Sequence, residues 1–134
     1  MAWVVDTCIL LDIRLRDAVF GVSSAYCLQS HLKDGLVISP VTYVELAPAF
    51  NGSAAQEEEF FKLAGVEYEA VDWTHQDTAA AHRLWAEVIR KKRSGQGEKR
   101  PVADVLIEAF AQRFQGIITR NPKHFATVEI VVPQ

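Results

Sequence analysis

Three short apolar runs, Trp3-Val4-Val5, Leu36-Val37-Ile38 and Ile117-Ile118, each break off at a polar or helix-starting residue, and helix-patterned segments lie between them. Short strands alternating with helices build an α/β fold around a parallel sheet, because parallel neighbours need a crossover long enough to hold a helix. An open sheet of that kind gathers the carboxyl ends of its strands along one edge, and ligands bind in the crevice there. The expected architecture is a three-layer α/β/α sandwich with a small central parallel sheet, a single domain over residues 1–134. The hydrophobic share of 49% is enough for a sizeable core. No run approaches the roughly 18 apolar residues of a membrane span.

Local signals set the elements between the runs. Ser23 or Ser24 can cap a helix that stops at Gly35, and Ser39-Pro40 pairs an N-cap serine with proline at the first helical position. Pro48 should end that helix. Ser53 and Gln56 form a capping-box pattern before a helix that runs to Gly65. Val66 to Val71 and Val128 to Val132 are further strand candidates. Thr74 and Asp77 open a helix carrying Ala81, Leu84, Trp85, Val88 and Ile89 at i, i+3, i+4, i+7, i+8 spacing. It ends in the basic cluster before Ser94-Gly95-Gln96-Gly97. Pro101 opens a last helix to about Gln115, with Val102, Leu106, Phe110 and Phe114 along one side and Gly116 as its stop.

Charge is divided along the chain. Residues 1–89 carry 5 Lys/Arg against 13 Asp/Glu, and residues 90–134 carry 9 against 4, within a net charge of −3. The surplus sits in Arg90-Lys91-Lys92-Arg93 and Lys99-Arg100. Such a cluster either tracks a phosphate backbone or answers the dipole of a helix C-terminus. Cys8 and Cys27 make no CxxC and are expected as reduced core residues. Met1 to Asp6 lacks the basic start of a signal peptide, so a cytoplasmic protein is expected.

Four oxygen-bearing residues fall where strands meet helix starts: Asp6, Glu45, Asp104 and Asn121. Each has a plain structural reading. Asp6 and Asp104 suit helix N-termini, Glu45 suits a solvated helix face, and Asn121-Pro122 is a turn signal. Glu108, four residues after Asp104, shares its face and is either solvated or a supporting acid. Gathered in one crevice, the carboxylates would repel one another unless a cation lay between them, and oxygen-only ligands suit Mg²⁺ or Mn²⁺. The four histidines have no zinc spacing. A phosphoacceptor domain would carry a second aspartate two residues after Asp6, where Cys8 stands.

The motifs combine. Asp6-Thr7 after an apolar strand, Ser39-Pro40 with Thr42 and Glu45, Pro101 with Ala103-Asp104 and Leu106-Ile107, and Thr119-Arg120-Asn121 with Phe125 occur in that order. The pattern resembles the PIN-domain ribonucleases, and in particular the VapC-type toxins of bacterial toxin–antitoxin pairs, over essentially the whole chain. The resemblance implies a doubly wound sheet and metal-dependent cleavage of RNA, with Asp6, Glu45 and Asp104 as catalytic acids and Mg²⁺ or Mn²⁺ held by Asp6 and Asp104. Thr7, Thr119, Asn121 and Glu108 would support them. The fourth acidic position of the family falls on neutral Asn121, which puts the metal number in question. Arg93, Lys99, Arg100 and Arg120 are the expected contacts to the RNA backbone. The resemblance further implies a homodimer and a cognate antitoxin protein. Phe50, Phe60 and Phe61 fit either an exposed groove or the core. The reading of a different class is a PIN-like module that binds RNA or protein without cutting.

Overall fold

The computed structural model describes residues 1–69, 71–97 and 100–134. The chain runs through β1 (Trp3–Val5), α1 (Thr7–Arg14), α2 (Gly21–Ser30), β2 (Leu36–Val37), α3 (Pro40–Glu45), α4 (Ala54–Ala64), β3 (Val66–Glu67), α5 (His75–Arg93), α6 (Val102–Ala111), β4 (Gly116–Ile118) and β5 (Ile130–Val131). The sheet has the order β3-β2-β1-β4-β5, and every pairing is parallel. Among the described residues no helix is long and apolar enough to cross a membrane.

Alternation along the central strands sorts the core into two layers. Trp3, Val5, Leu36, Ile38 and Ile118 face one side and pack with Ile9 and Leu10 of α1, Leu28 of α2 and Phe61 of α4. Val4, Val37 and Ile117 face the other and pack with Ile107, Phe110 and Ala111 of α6. Helix α5 lies on α6 through Ala80, Ala81 and Ala109. The expected α/β/α sandwich is therefore present.

Several boundaries differ from expectation for local reasons. Neither Ser23 nor Ser24 caps α2: Asp17 takes the Val19 and Phe20 N–H groups, and the helix starts earlier, at Gly21. Helix α2 ends at Ser30, and a 3-10 turn over Leu32–Asp34 completes the approach to Gly35. Gly116 is not a helix stop but the first residue of β4. A Cβ there would run into the Glu129 carbonyl and the Trp3 ring. Helix α6 ends at Ala111, and its apolar residues do not make one stripe. Val102 is exposed, while Ile107 and Phe110 meet the sheet and Ala109 meets α5. A helix covered on two sides shows no clean amphipathic face. The strands expected at 66–71 and 128–132 shrink to two residues each. Ser39, Ser53 and Thr74 cap α3, α4 and α5 as their motifs require.

The N-terminus of α5 is anchored by Asp77. Its carboxylate accepts the Thr74 N–H at 2.9 Å and two N–H groups of Arg113 at 2.6 and 2.8 Å. Burial pushes this carboxyl up, but the Arg113 guanidinium and the Thr74 N–H outweigh it and hold it below the ordinary value. A carboxyl depressed in the folded state contributes stability that is complete above its unfolded pKa, about 4, and is lost as pH falls through the folded value. Asp77→Asn is expected to cost about 2–4 kcal/mol at pH 7, from a lost ion pair and a weakened cap. Urea melts of both proteins should show that gap shrinking as pH falls below the unfolded value of about 4.

Candidate active site at the β1/β4 switch point

The strand order reverses at β1: β2 and β3 build outward on one side of it, and the chain then returns to lay β4 and β5 on the other. The crevice at the carboxyl ends of β1 and β4 is where a sheet of this topology holds its ligand. Asp6 follows β1 and Thr119 follows β4. The Asp6 N–H donates to the Ile118 carbonyl at 3.0 Å, which fixes the two strand ends together. The Thr119 hydroxyl donates to Asp6 Oδ2 at 2.7 Å and accepts the Asn121 N–H at 3.0 Å. Asp6 Oδ1 accepts the Thr7 N–H at 2.8 Å, so the residue both caps α1 and faces the crevice.

Asp6 and Thr119 are buried. Burial pushes the Asp6 carboxyl above the usual carboxylate range, hydrogen bonds from Thr119, Cys8 and Thr7 pull it down, and the nearby Asp104 charge pushes it up again. The Cys8 thiol, donating to Asp6 Oδ2 at 3.4 Å, is driven up to about 12 by burial and by that carboxylate. It is a closed, unreactive group. Neither cysteine is in a disulfide, and both are half-buried.

Asp104 stands in the first turn of α6, half-buried, within electrostatic reach of Asp6. Its Oδ2 lies 2.6 Å from Nδ1 of His124. Glu45 is exposed at the end of α3. It reaches the crevice through Thr7, whose Oγ1 lies 2.7 Å from Glu45 Oε1 and 3.0 Å from Thr42 Oγ1. A hydroxyl has one proton to give, so Thr7 donates to the carboxylate and accepts from Thr42.

The site is thus a coupled pair, Asp6 and Asp104, with Glu45 hung beside it. Among the described residues no three His, Cys, Asp or Glu side chains are grouped to hold a metal ion. The expected three-acid cluster is looser than anticipated because α3 carries Glu45 on its solvent side. Mg²⁺ does not demand such a cluster. It keeps several waters and is commonly held by one or two carboxylates with substrate phosphates. Asp6 and Asp104 fit that pattern: both are hard oxygen donors, and a cation would relieve the charge that Asp104 imposes on Asp6.

Glu108 has a different role from the one expected. It is neither solvated nor part of the crevice. Fully buried, it accepts from Arg100 Nη2 at 2.6 Å and from the Thr127 N–H at 2.9 Å, and also binds the Thr127 hydroxyl. Arg100 is thereby spent on Glu108. Arg120 is likewise spent: its guanidinium grips Asp12 at 2.6 and 2.8 Å and lies over the Phe20 ring. Arg93 is exposed in the last turn of α5. Lys99 lies outside the described residues. Asn121 is exposed just past Thr119. Phe50 and Phe61 belong to the core, and Phe60 lines a groove with Leu28 and Leu63.

Two residues escaped sequence reading. Asp12 interrupts the apolar run Ile9-Leu10-Leu11 and Ile13, and a buried carboxylate there demands a partner. His124 looked like one of four scattered histidines, although it lies three residues after Asn121 in the same turn.

No family model matches the sequence, and no curated protein matches it. A chain in the crystal structure of VapBC2 from Rickettsia felis, bound to a DNA fragment from their promoter, superposes with a TM-score of 0.76, covering 100% of both chains at 18% identity. The fold is PIN-like.

Asp104 and Glu108, one turn apart on α6, should separate cleanly. Glu108→Gln is expected to cost about 2–4 kcal/mol through its lost ion pair and unpaired loop N–H. Asp104→Asn should stay within about 1 kcal/mol of wild type, as usual for substitutions outside the packed interior. Urea denaturation of the two proteins checks both.

Proposed function

We propose that this chain is a Mg²⁺- or Mn²⁺-dependent endoribonuclease that hydrolyses RNA phosphodiester bonds in the cytoplasm, acting as the toxin of a type II toxin–antitoxin pair. The observation that carries the reading is the buried Asp6 coupled to Asp104 at the switch point of a PIN-like sheet. The ordered motifs of the sequence support it, as does the fold likeness to a chain of VapBC2.

In this reading Asp6 and Asp104 hold the divalent ion, which when bound supplies charge neutralisation at the scissile phosphate and a more acidic water. Thr119 and the Thr7 N–H hold the Asp6 carboxylate in place, and His124 holds that of Asp104. Positioning of this kind preserves ligand geometry as the charge on the phosphate changes. Glu45, turned by the Thr7 hydroxyl on Oε1, keeps Oε2 to take a proton from the attacking water. Asn121 adds no charge, which favours one tightly held ion over two.

A protein toxin of this class needs covering when idle. Val19, Val22 and Tyr26 around α2 and Leu63 on α4 are exposed, and a cavity of about 420 Å³ between α2 and α4 is lined by Ile13, Leu28, Leu32, Phe60 and Leu63. This apolar face suits an amphipathic antitoxin segment. A second copy of the chain completes the proposed assembly as a homodimer.

The loose acid set and neutral Asn121 favour one competitor, a PIN-like module that binds RNA without cutting it. A labelled RNA incubated with purified protein and Mn²⁺ separates the two. Cleavage is expected, abolished by EDTA and reduced at least about 100-fold by Asp6→Asn or Asp104→Asn, both folded by circular dichroism. Intact RNA under all conditions would establish the binding module instead. Mn²⁺ should also raise the melting temperature of wild type, by mass action, and leave Asp6→Asn unmoved.

A further inference from the structure

We infer that the cavity beside His124 is a phosphate subsite for the RNA strand, with Lys91 and Lys123 as its two working cations. The inference rests on the ribonuclease reading and adds where the substrate backbone is held. The cavity measures about 530 Å³ and lies between the C-terminal half of α5 and the loop after β4. Its polar lining includes Lys91, Arg100, Lys123, His124 and Thr127, and Glu87 is the acid among the described lining residues.

Charge accounting within the lining picks out the lysines. Arg100 is answered by Glu108, and Glu87 is answered by Arg90, whose Nε and Nη2 bind it at 3.0 and 2.5 Å. Lys91 and Lys123 are exposed, and among the described residues neither is in an ion pair. Among the described lining residues two positive charges therefore remain, in a concave space with a mixed polar and apolar wall. Lys91 does lie close enough to Glu87 to lower its carboxyl, after the stronger hold of Arg90.

Position links the cavity to the chemistry. His124 is at once a wall of the cavity and the partner of Asp104. A strand with its scissile phosphate at Asp6 and Asp104 would pass a flanking phosphate over this wall. Lysine is a compact point charge without a fixed fork, so the subsite would hold backbone and leave base identity unread. Of the expected contacts, Arg100 and Arg120 are held by Glu108 and Asp12, while Lys91 belongs to the basic cluster that the sequence offered as a phosphate track and Lys123 is the addition.

The test uses the full chain carrying Asp6→Asn, so that labelled single-stranded RNA is bound and not cut. Fluorescence anisotropy is followed across a salt series. Adding Lys91→Gln and Lys123→Gln should weaken binding about tenfold near 0.1 M salt, two exposed charge contacts' worth. The slope of log K against log salt should become shallower by about 1.4, since each single-strand phosphate contact contributes about 0.7. A charge-matched control, Lys33→Gln with Lys62→Gln, should keep the original slope. In the otherwise wild-type enzyme the Lys91 and Lys123 changes should raise KM with kcat held. If they alter neither slope nor KM while wild type still cuts RNA, the subsite is overturned and the nuclease stands. If wild type neither cuts nor binds RNA, both readings fall together.

Discussion

The Asp6 carboxylate, held between the ends of β1 and β4, is the constraint around which the rest of this molecule is arranged. It is buried, flanked by a second acid, and kept in place by the Thr119 hydroxyl beyond β4 and the first N–H of α1, while its own N–H ties β1 to the Ile118 carbonyl of β4. An isolated buried charge is costly. Here each compensating group comes from a different segment, so the cost is met only when β1, α1 and β4 are all in register. The same arrangement sets the Asp104 charge near enough to push the Asp6 carboxyl up.

The sheet makes this possible through its order. The chain lays β2 and β3 on one side of β1 and then returns from β3 to place β4 on the other, which opens a gap above the carboxyl ends of β1 and β4. Helix α3 supplies Glu45 from one side of the gap and α6 supplies Asp104 from the other. Neither helix needs to bury its acid. Both are positioned by apolar neighbours, Leu46 next to Glu45 and Val105 next to Asp104, which pack fully into the interior.

Much of this was readable from residue patterns. Serine and threonine caps at Ser39, Ser53 and Thr74 marked helix starts because their chemistry is local. The apolar runs of β1, β2 and β4 marked the central strands because both sheet faces are covered. Asp6 and Asp104 were legible for the same reason: each follows a strand or opens a helix. What was not legible depends on contacts distant in sequence. Glu108 looked solvated, yet its partners are Arg100, just before α6, and Thr127, in the connection between β4 and β5. Arg120 looked free, yet Asp12 lies 108 positions away in sequence. The start of α2 was missed because the Asp17 carboxylate folds the preceding turn onto the Val19 and Phe20 amides, and the helix then begins at Gly21 without a side-chain cap. No periodicity foretells which basic residue an interior acid will claim.

The grip of Glu108 on the segment after His124 bears on how this protein can diverge. Its carboxylate binds main-chain amides of Ala126 and Thr127, and those amides exist whatever side chain position 126 carries. Composition at that point is open to drift, whereas segment length is not, since one inserted residue would carry both amides out of reach. Relatives should therefore vary at position 126, proline apart, while keeping the same spacing from the acid on α6, with Phe125 held in the core and Thr127 on that acid.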